Sequence, residues 1–199
     1  IENLTINDFA LINISTNERF NLDSIKITSA WEPMKMCARL YFSSLSTPGE
    51  YKLIGLDSES PIINIGNNVY AGCQEIPLYY MRQQRCGYNP SLRDSCHKHD
   101  GILVLSGEND GKYVDVTGGW HDASDYLQYL TTSANATTQM LVAYLTNPNV
   151  WDDKFDSDGN NVSNGIADIL DEARWGLNWL MKMNPNDTLY LNQIADDRD

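Results

Sequence analysis

The 199-residue sequence predicts a β-rich module followed by an all-α region. Between Phe20 and Gly66, short apolar runs of strand length alternate with turn residues, a pattern typical of a small β-sandwich. After Val69 the apolar residues recur at helical spacing instead. We therefore expect two domains, at residues 1–68 and 69–199.

The expected strands of the first domain lie at residues 25–27, 38–42, 51–54 and 62–65. Thr47-Pro48-Gly49 separates the second and third of them. Pro and Gly in this order suit a type II turn, in which Gly supplies the positive φ. We expect this turn to join its two flanking strands as a hairpin.

Three helices are expected in the second domain, at residues 74–85, 132–145 and 166–183. Pro77 is compatible with the first helix because it falls in the first turn. The third has the clearest amphipathic pattern, and Asn184-Pro185 ends it. Two long irregular segments, 86–115 and 147–164, lie between the helices, and loops of this length usually carry function.

The net charge of −13 disfavours polyanionic partners. Nucleic acids, anionic membrane surfaces and uronic-acid polymers are all repelled by such a chain, so a neutral ligand is expected. No apolar run approaches the roughly 20 residues that span a bilayer. The first residues, Ile1-Glu2-Asn3, lack the basic and apolar regions of a signal peptide, which predicts a mature or trimmed start.

Cysteine and histidine side chains cluster in the sequence around the first irregular segment. Cys86, Cys96, His97 and His121 supply two thiolates and two imidazoles, the ligand types of a tetrahedral structural zinc site. The ten-residue cysteine spacing is wider than that of a zinc finger. A Cys86–Cys96 disulfide with surface histidines is the alternative, although the adjacent pair Cys96-His97 favours the metal.

Residues 118–126 combine two carboxylates, two glycines and a tryptophan. Asp122 and Asp125 stand three positions apart and can share one water, from which a carboxylate can remove a proton. Trp120 is a candidate platform for the apolar face of a sugar. In the alternative interpretation, Asp122 caps a following helix and Asp125 lies in its first turn.

Two weaker patterns follow further along the chain. Asp156-Ser157-Asp158-Gly159-Asn160 has oxygen ligands at alternate positions, as in the first half of a calcium loop, but no Glu stands at the twelfth position. Calcium is therefore a secondary possibility beside zinc. Trp175 and Trp179 are candidates to line a sugar cleft, although tryptophans at helical spacing more often belong to a core.

Four segments together resemble glycoside hydrolase family 9. The longest is Asp115-Val116-Thr117-Gly118-Gly119-Trp120-His121-Asp122-Ala123-Ser124-Asp125-Tyr126. Further similarity lies in residues 80–87, in Ser95-Cys96-His97 and in residues 164–176, in this order. The resemblance covers about residues 70–185, and the β-rich segment resembles the immunoglobulin-like module found in one branch of the family.

The resemblance implies an (α/α)6 barrel, of which this chain holds the opening helices, and inverting cleavage of β-1,4-glucans of the cellulose, mixed-linkage or xyloglucan type. It implies that Asp125 is the general base, that Asp122 helps to hold the water, and that the Cys86, Cys96, His97 and His121 set binds structural zinc. Ser124 stands where the family usually has Gly.

Further expectations concern the remainder of such an enzyme. The family's general acid is a Glu near the far end of the barrel, beyond residue 199, so this portion is expected to be inactive without the rest of its catalytic domain. Glu172 does not match that acid. We expect a neutral β-glucan partner and a secreted or otherwise extracytoplasmic location.

Two other functions are compatible with the sequence. One is a non-catalytic carbohydrate-binding protein that keeps a zinc-clamped cleft, which differs from the enzyme by having no downstream Glu. The other is a structural or interaction module whose carboxylates only cap helices, and binding to a soluble β-glucan would argue against it.

Overall fold

A computed structural model describes residues 4–34, 36–99, 101–104, 107–123 and 125–195. The chain divides into two compact units, Ile1–Ala71 and Gly72–Asp199. The first unit is built from strands and the second contains the three long helices.

The described residues of the N-terminal unit form two antiparallel sheets. In the larger sheet β1 lies between β2 and β5, and β5 also pairs with β6 and β7. The smaller sheet is a ladder of β3 and β4. A 3-10 turn, Ile6–Asp8, precedes strands β1 (Phe9–Asn13), β2 (Arg19–Phe20), β3 (Ser24–Thr28), β4 (Cys37–Tyr41), β5 (Gly49–Gly55), β6 (Ser58–Glu59) and β7 (Ile63–Ile65).

Both sheets contribute to one hydrophobic cluster. Leu11, Leu22 and Tyr51 are its buried centre, and Leu40 and Phe42 pack against them. Since Leu40 lies on β4 while Leu11 and Tyr51 lie on the larger sheet, the apolar faces of the two sheets share this core.

The predicted hairpin at residues 47–49 is wrong. Leu40 of β4 pairs with Ile25 of β3, whereas Leu53 of β5 pairs with Leu11 of β1. The Pro-Gly turn therefore connects two strands of different sheets. Turn residues fix the local direction of the chain, but the partner of a strand is chosen by packing of its apolar face. β1 itself, which was not predicted, carries two fully buried residues of the larger sheet, Ala10 and Leu11.

The three predicted helices are confirmed, with ends that differ by a few residues. Pro77 lies in the first turn of α1, as expected. Two short strand pairs flank the helices, β8 with β9 and β10 with β11. In chain order the unit contains α1 (Glu75–Gln83), β8 (Gly87–Asn89), β9 (Asp94–Cys96), β10 (Gln128–Tyr129), α2 (Leu130–Thr146), a 3-10 turn (Pro148–Val150), α3 (Asp168–Lys182) and β11 (Gln193–Ile194).

Helices α2 and α3 pack closely against each other and against Trp120. A side-chain carbon at Gly176 would overlap both the Trp120 ring and the Thr137 hydroxyl, so only glycine fits at this position of α3. The surrounding core contains Leu78 of α1, Met140 of α2, and Ile169 and Ala173 of α3. Within the described part of the chain, the helices are too short or too polar to cross a membrane.

Candidate active site

The loop formed by residues 115–127, here called the carboxylate loop, connects the β8–β9 region to α2. In its first half Val116, Gly119 and Trp120 are buried, and Gly118 and Gly119 have φ values of 114° and 71°. A side chain at Gly119 would come within 2.6 Å of Trp179 Cδ2, so glycine is required both by conformation and by space. At this close approach the loop backbone at Gly119 packs directly against Trp179 of α3.

The second half of the loop presents the two carboxylates. The Asp122 and Asp125 side chains are both exposed. The Asp122 N–H donates to the Leu127 carbonyl at 2.7 Å. This hydrogen bond closes a turn that runs from Asp122 to Leu127 and contains Asp125. Ser124, the position that differs from the family motif, lies outside the described residues.

The helix-capping interpretation of these aspartates is wrong. α2 begins at Leu130, and Tyr129 occupies its N-cap position. Asp125 stands five residues before the helix, and its Oδ1 accepts the Leu127 N–H at 3.4 Å. The carboxylates are therefore exposed groups on a closed turn and are not part of the helix end.

Trp120 is not the sugar platform that its position in the motif suggests. It is 3% exposed, and its indole N–H donates to Glu172 Oε1 at 2.8 Å. Trp175 and Trp179 also donate their indole N–H groups to the backbone of the carboxylate loop. Trp179 belongs to the core, since it is 1% exposed.

Cys86, Cys96, His97 and His121 form a possible metal-binding group. One ligand atom from each residue lies within 4.8 Å of every other, and the Cys96 Sγ atom lies 3.7 Å from His121 Nε2. The backbone explains the convergence. Cys86 immediately precedes Gly87, which pairs with Cys96 across the β8–β9 ladder, and the Cys86 N–H donates to the Gly119 carbonyl.

The buried imidazoles of this group fit a metal. Both ring nitrogens of His97 are buried and find no hydrogen-bond partner among the described residues, and a ligated cation would give one of them a partner. His97 also has φ = 53°, a strained conformation for a non-glycine residue. Burial, together with the neighbouring His97, lowers the pKa of His121 to about 4, which keeps its imidazole neutral as a metal ligand must be.

Tyr126 links the metal-type group to the carboxylate turn. Its ring centroid lies 5.3 Å from that of His97 and 4.9 Å from that of His121. Tyr126 follows Asp125 directly and has φ = 63°. The position of the second carboxylate is therefore coupled to the two imidazoles through one aromatic ring.

The calcium-like segment uses its oxygens internally. Asp156 Oδ1 accepts N–H groups from Asp158 and Asn160, and Oδ2 accepts the Asn160 side-chain amide. In the described ranges, no cluster of three metal-ligating side chains gathers at this segment. Calcium at this position stays a prediction.

A buried ionic network beside the loop was not predicted. Glu172 is fully buried and accepts hydrogen bonds from Arg85 Nη2 at 2.8 Å and Arg85 Nε at 3.2 Å. Arg82 lies 3.6 Å from Glu172 and 3.7 Å from Asp168. A signal was available, because Arg82 near the end of α1 and Arg85 just after it are three residues apart, and acidic residues on α3 are four apart.

Comparison with known proteins relates most of this unit to one enzyme family. The family model described as glycosyl hydrolase family 9 matches residues 70–199. A second model, the TFIIIC subunit triple barrel domain, matches residues 13–77, which is less than half of the chain.

Individual relatives agree with the first match. A cellodextrinase of Butyrivibrio fibrisolvens is 33% identical over 148 residues, which cover 71% of this chain and 27% of the relative. A metagenome-derived glycoside hydrolase family 9 endoglucanase is 28% identical with a TM-score of 0.73, over 93% of this chain and 35% of that one. A Zn-binding triple mutant of family 9 endoglucanase J30 is 25% identical with a TM-score of 0.70, over 90% and 37%.

The chain thus spans about a quarter of the cellodextrinase and about a third of the endoglucanase structures. The family model covers well over half of the chain, and it includes the carboxylate loop, the metal-type group and all three helices. The chain therefore belongs to glycosyl hydrolase family 9.

Proposed function

We propose that this chain is the front portion of an inverting glycoside hydrolase that cleaves β-1,4-glucans, with Asp125 as general base. The observation that carries the proposal is the exposed pair Asp122 and Asp125, held on a closed turn whose preceding backbone is buried, in a chain of family 9. The glucan-active relatives support the substrate class.

In the proposed reaction, Asp125 removes a proton from water as that water attacks the anomeric carbon, and Asp122 helps to hold the same water. Inversion requires a carboxylic acid about 6.5–9.5 Å from the base to protonate the departing sugar oxygen. Following the family resemblance, we place this acid on a Glu outside residues 1–199. A neutral glucan is also compatible with the net charge of −13.

We further propose that Cys86, Cys96, His97 and His121 hold one structural zinc ion. Thiolates and imidazoles are the ligands zinc prefers, and the zinc-binding variant of a related endoglucanase supports the choice of metal. Zinc would cross-link the β8–β9 ladder to the carboxylate loop. His121 then fixes the backbone next to Asp122, and Tyr126 rests on both imidazoles.

The proposal includes the wider architecture. We assign the N-terminal unit as an immunoglobulin-like module, supported by two antiparallel sheets that share one core. The helical unit is proposed as the opening part of an (α/α)6 barrel. Because the enzyme has to be in the same compartment as its polymeric glucan substrate, we place the protein outside the cytoplasm.

The function is tested with a protein that includes the complete catalytic domain, assayed on a panel of soluble neutral β-glucans. Asp125→Asn should abolish hydrolysis while glucan binding persists, since the amide keeps the shape of the carboxylate but cannot act as a base. Asp187→Asn, an exposed aspartate elsewhere in the helical unit, is the matched control and should keep the parent's rate.

Three results would contradict the proposal. Retention of most activity by Asp125→Asn would mean that the base is misassigned. Glucan binding by the parent without any hydrolysis would favour the non-catalytic carbohydrate-binding alternative. Robust hydrolysis by residues 1–199 alone would refute the placement of the acid outside this portion.

A further inference from the structure

We infer that one face of α3 positions the carboxylate loop for catalysis, with Glu172 as the positioning residue at its centre. The inference rests on the proposed function, because it concerns the placement of Asp122 and Asp125. Its observations are separate from those that assign the two aspartates.

Four side chains of α3 bond to the loop, and they lie on one helical face. Glu172, Trp175, Trp179 and Lys182 follow the spacing i, i+3, i+7 and i+10, which aligns them along the helix. Trp179 donates to the Val116 carbonyl at 2.9 Å. Lys182 donates to the Thr117 carbonyl at 2.8 Å.

The next two contacts continue along the loop toward Asp122. Trp175 donates to the Gly119 carbonyl at 2.9 Å, and Glu172 accepts the Trp120 indole N–H at 2.8 Å. The intervening Gly118 carbonyl accepts a hydrogen bond from Gln128 Nε2 at 2.8 Å. Each residue from 116 to 120 is therefore held by a side chain. From Thr117 to Trp120 the contacts with α3 run opposite to the direction of the helix, from Lys182 to Trp175 to Glu172.

The Glu172 contact ends this series two residues before Asp122. Glu172 and Arg85 are both fully buried, and the guanidinium donates to both carboxylate oxygens. Arg85 Nη1 also donates to the Ser157 carbonyl, and its guanidinium lies over the Trp175 ring. In such a dry site the orientation of the carboxylate is fixed, so the acceptor for Trp120 is fixed with it.

The ring of Trp120 is equally constrained, because it lies against Gly176 where no larger residue fits. His121, the following residue, donates its N–H to the Gln84 carbonyl at 2.8 Å. The backbone entering Asp122 is thus restrained by α3 on one side and by the end of α1 on the other.

A third tryptophan in the same core indicates that these bonds do more than fill the core. Trp151 packs against the buried cluster of Leu78 and Met140, and its buried indole N–H has no acceptor among the residues described. A tryptophan in this core thus does not need an acceptor in order to pack. The bond from Trp120 to Glu172 and the bond from Trp175 to Gly119 instead join α3 to the part of the loop that precedes Asp122.

The test compares Trp120→Phe and Trp175→Phe with the matched control Trp151→Phe in a protein that includes the complete catalytic domain. The first two variants remove an N–H that reaches the network around the loop, and the control removes an N–H that has no acceptor in the described part of the chain. We expect kcat to fall about 10- to 100-fold with KM unchanged in the first two variants, because misplacement affects the transition state. The control should keep the parent's kcat.

A second readout does not depend on activity. Amide hydrogen exchange across residues 118–127 should be faster than in the parent for Trp120→Phe and Trp175→Phe, and unchanged for Trp151→Phe. If Trp120→Phe does not fold, Trp175→Phe carries the test, since Phe can still pack on Arg85. Failure of the parent to hydrolyse any β-glucan would refute the proposed function and leave the exchange comparison to decide the positioning role.

The inference would be overturned if both test variants had the same amide exchange and the same kcat as the Trp151→Phe control. An increase in KM with kcat unchanged would overturn it as well, because that pattern indicates lost substrate binding and not misplacement.

Discussion

The carboxylate loop is attached to the rest of the helical unit at two places that differ in kind. Its first half is bonded to α3 by neutral and charged side chains that find their partners within the fold. Its second half adjoins the Cys86, Cys96, His97 and His121 group, where both His97 nitrogens lack a partner in the described part of the chain. The α3 attachment is complete by folding alone, whereas the metal-type attachment would be completed by the proposed zinc ion.

This difference indicates which part of the site is positioned by contacts within the fold and which part would depend on a bound ion. The α3 side determines the path of the backbone up to Trp120. The metal-type side determines the position of Tyr126 and hence of Asp125. We expect perturbations of the two sides to be separable, since only the second should respond to chelators.

The largest effect is expected from Glu172→Ala, which breaks the α3 attachment. It leaves the buried Arg85 guanidinium without its carboxylate, and removal of one partner of a buried pair costs about 3–5 kcal/mol. Urea unfolding of the zinc-loaded protein measures the loss. Glu108→Ala, at an exposed site, is the control. If Glu172→Ala lowers the free energy of unfolding no more than Glu108→Ala does, the buried network does not contribute substantially to stability.

Removal of the metal should have a somewhat smaller effect and should act on the other attachment. A ligand at a hundredfold excess over its Kd stabilises the native state by about 2.7 kcal/mol, which a chelator would abolish. Acidification should act in the same direction, because protons compete with the metal for thiolates and imidazoles. Thermal unfolding with and without chelator, with elemental analysis for zinc, measures this.

Two variants sharpen the metal prediction. Cys96→Ser should lose the response to chelator, whereas His99→Asn should keep it, because the third histidine of the chain lies outside the metal-type group. A parent protein that contains no zinc and unfolds at the same temperature with and without chelator would refute the prediction.

The smallest effect is expected from Lys182→Met, at the exposed end of the α3 attachment. The Thr117 hydroxyl and then Lys182 lower the pKa of Asp115 from 3.8 to about 2. Since the folded state has the lower pKa, this stabilisation is present above about pH 4 and is lost as the pH falls toward 2. For such exposed groups we expect a loss of only about 0.2–1 kcal/mol at pH 7.

Unfolding of Lys182→Met and the parent across this pH range measures the prediction. The difference between the two proteins should shrink as Asp115 becomes protonated. Lys98→Met provides an exposed control. If the difference in stability between Lys182→Met and the parent does not change with pH, then Lys182 does not stabilise the protein through Asp115.

Much of this arrangement was predictable from local sequence. The apolar period of residues 166–183 gave α3, and the soft ligand types at positions 86, 96, 97 and 121 indicated that these side chains converge. The aspartates were identified by the motif in which they stand. In each case the information lies in residue type and short-range spacing.

What could not be predicted depends on the choice of partners in three dimensions. Nothing local distinguishes a Pro-Gly turn that closes a hairpin from one that connects two sheets, as residues 47–49 do. Trp120 has the residue type of a sugar platform, and only the burial created by Gly176 and Glu172 shows otherwise. The Arg85–Glu172 pair joins positions 87 residues apart, so its formation is decided by helix packing.

The four residues of the metal-type group also have a consequence for the entropy of the chain. They bring positions 86 and 121 together across a segment in which most residues belong to no helix or strand. Closing a loop of this length costs about 4 kcal/mol of conformational entropy by the estimate used for disulfides, and metal binding would offset this cost as the chain folds. A segment too irregular to order itself by secondary structure would then receive its order from one coordinated ion, so the ion would be required more for folding this segment than for packing around it.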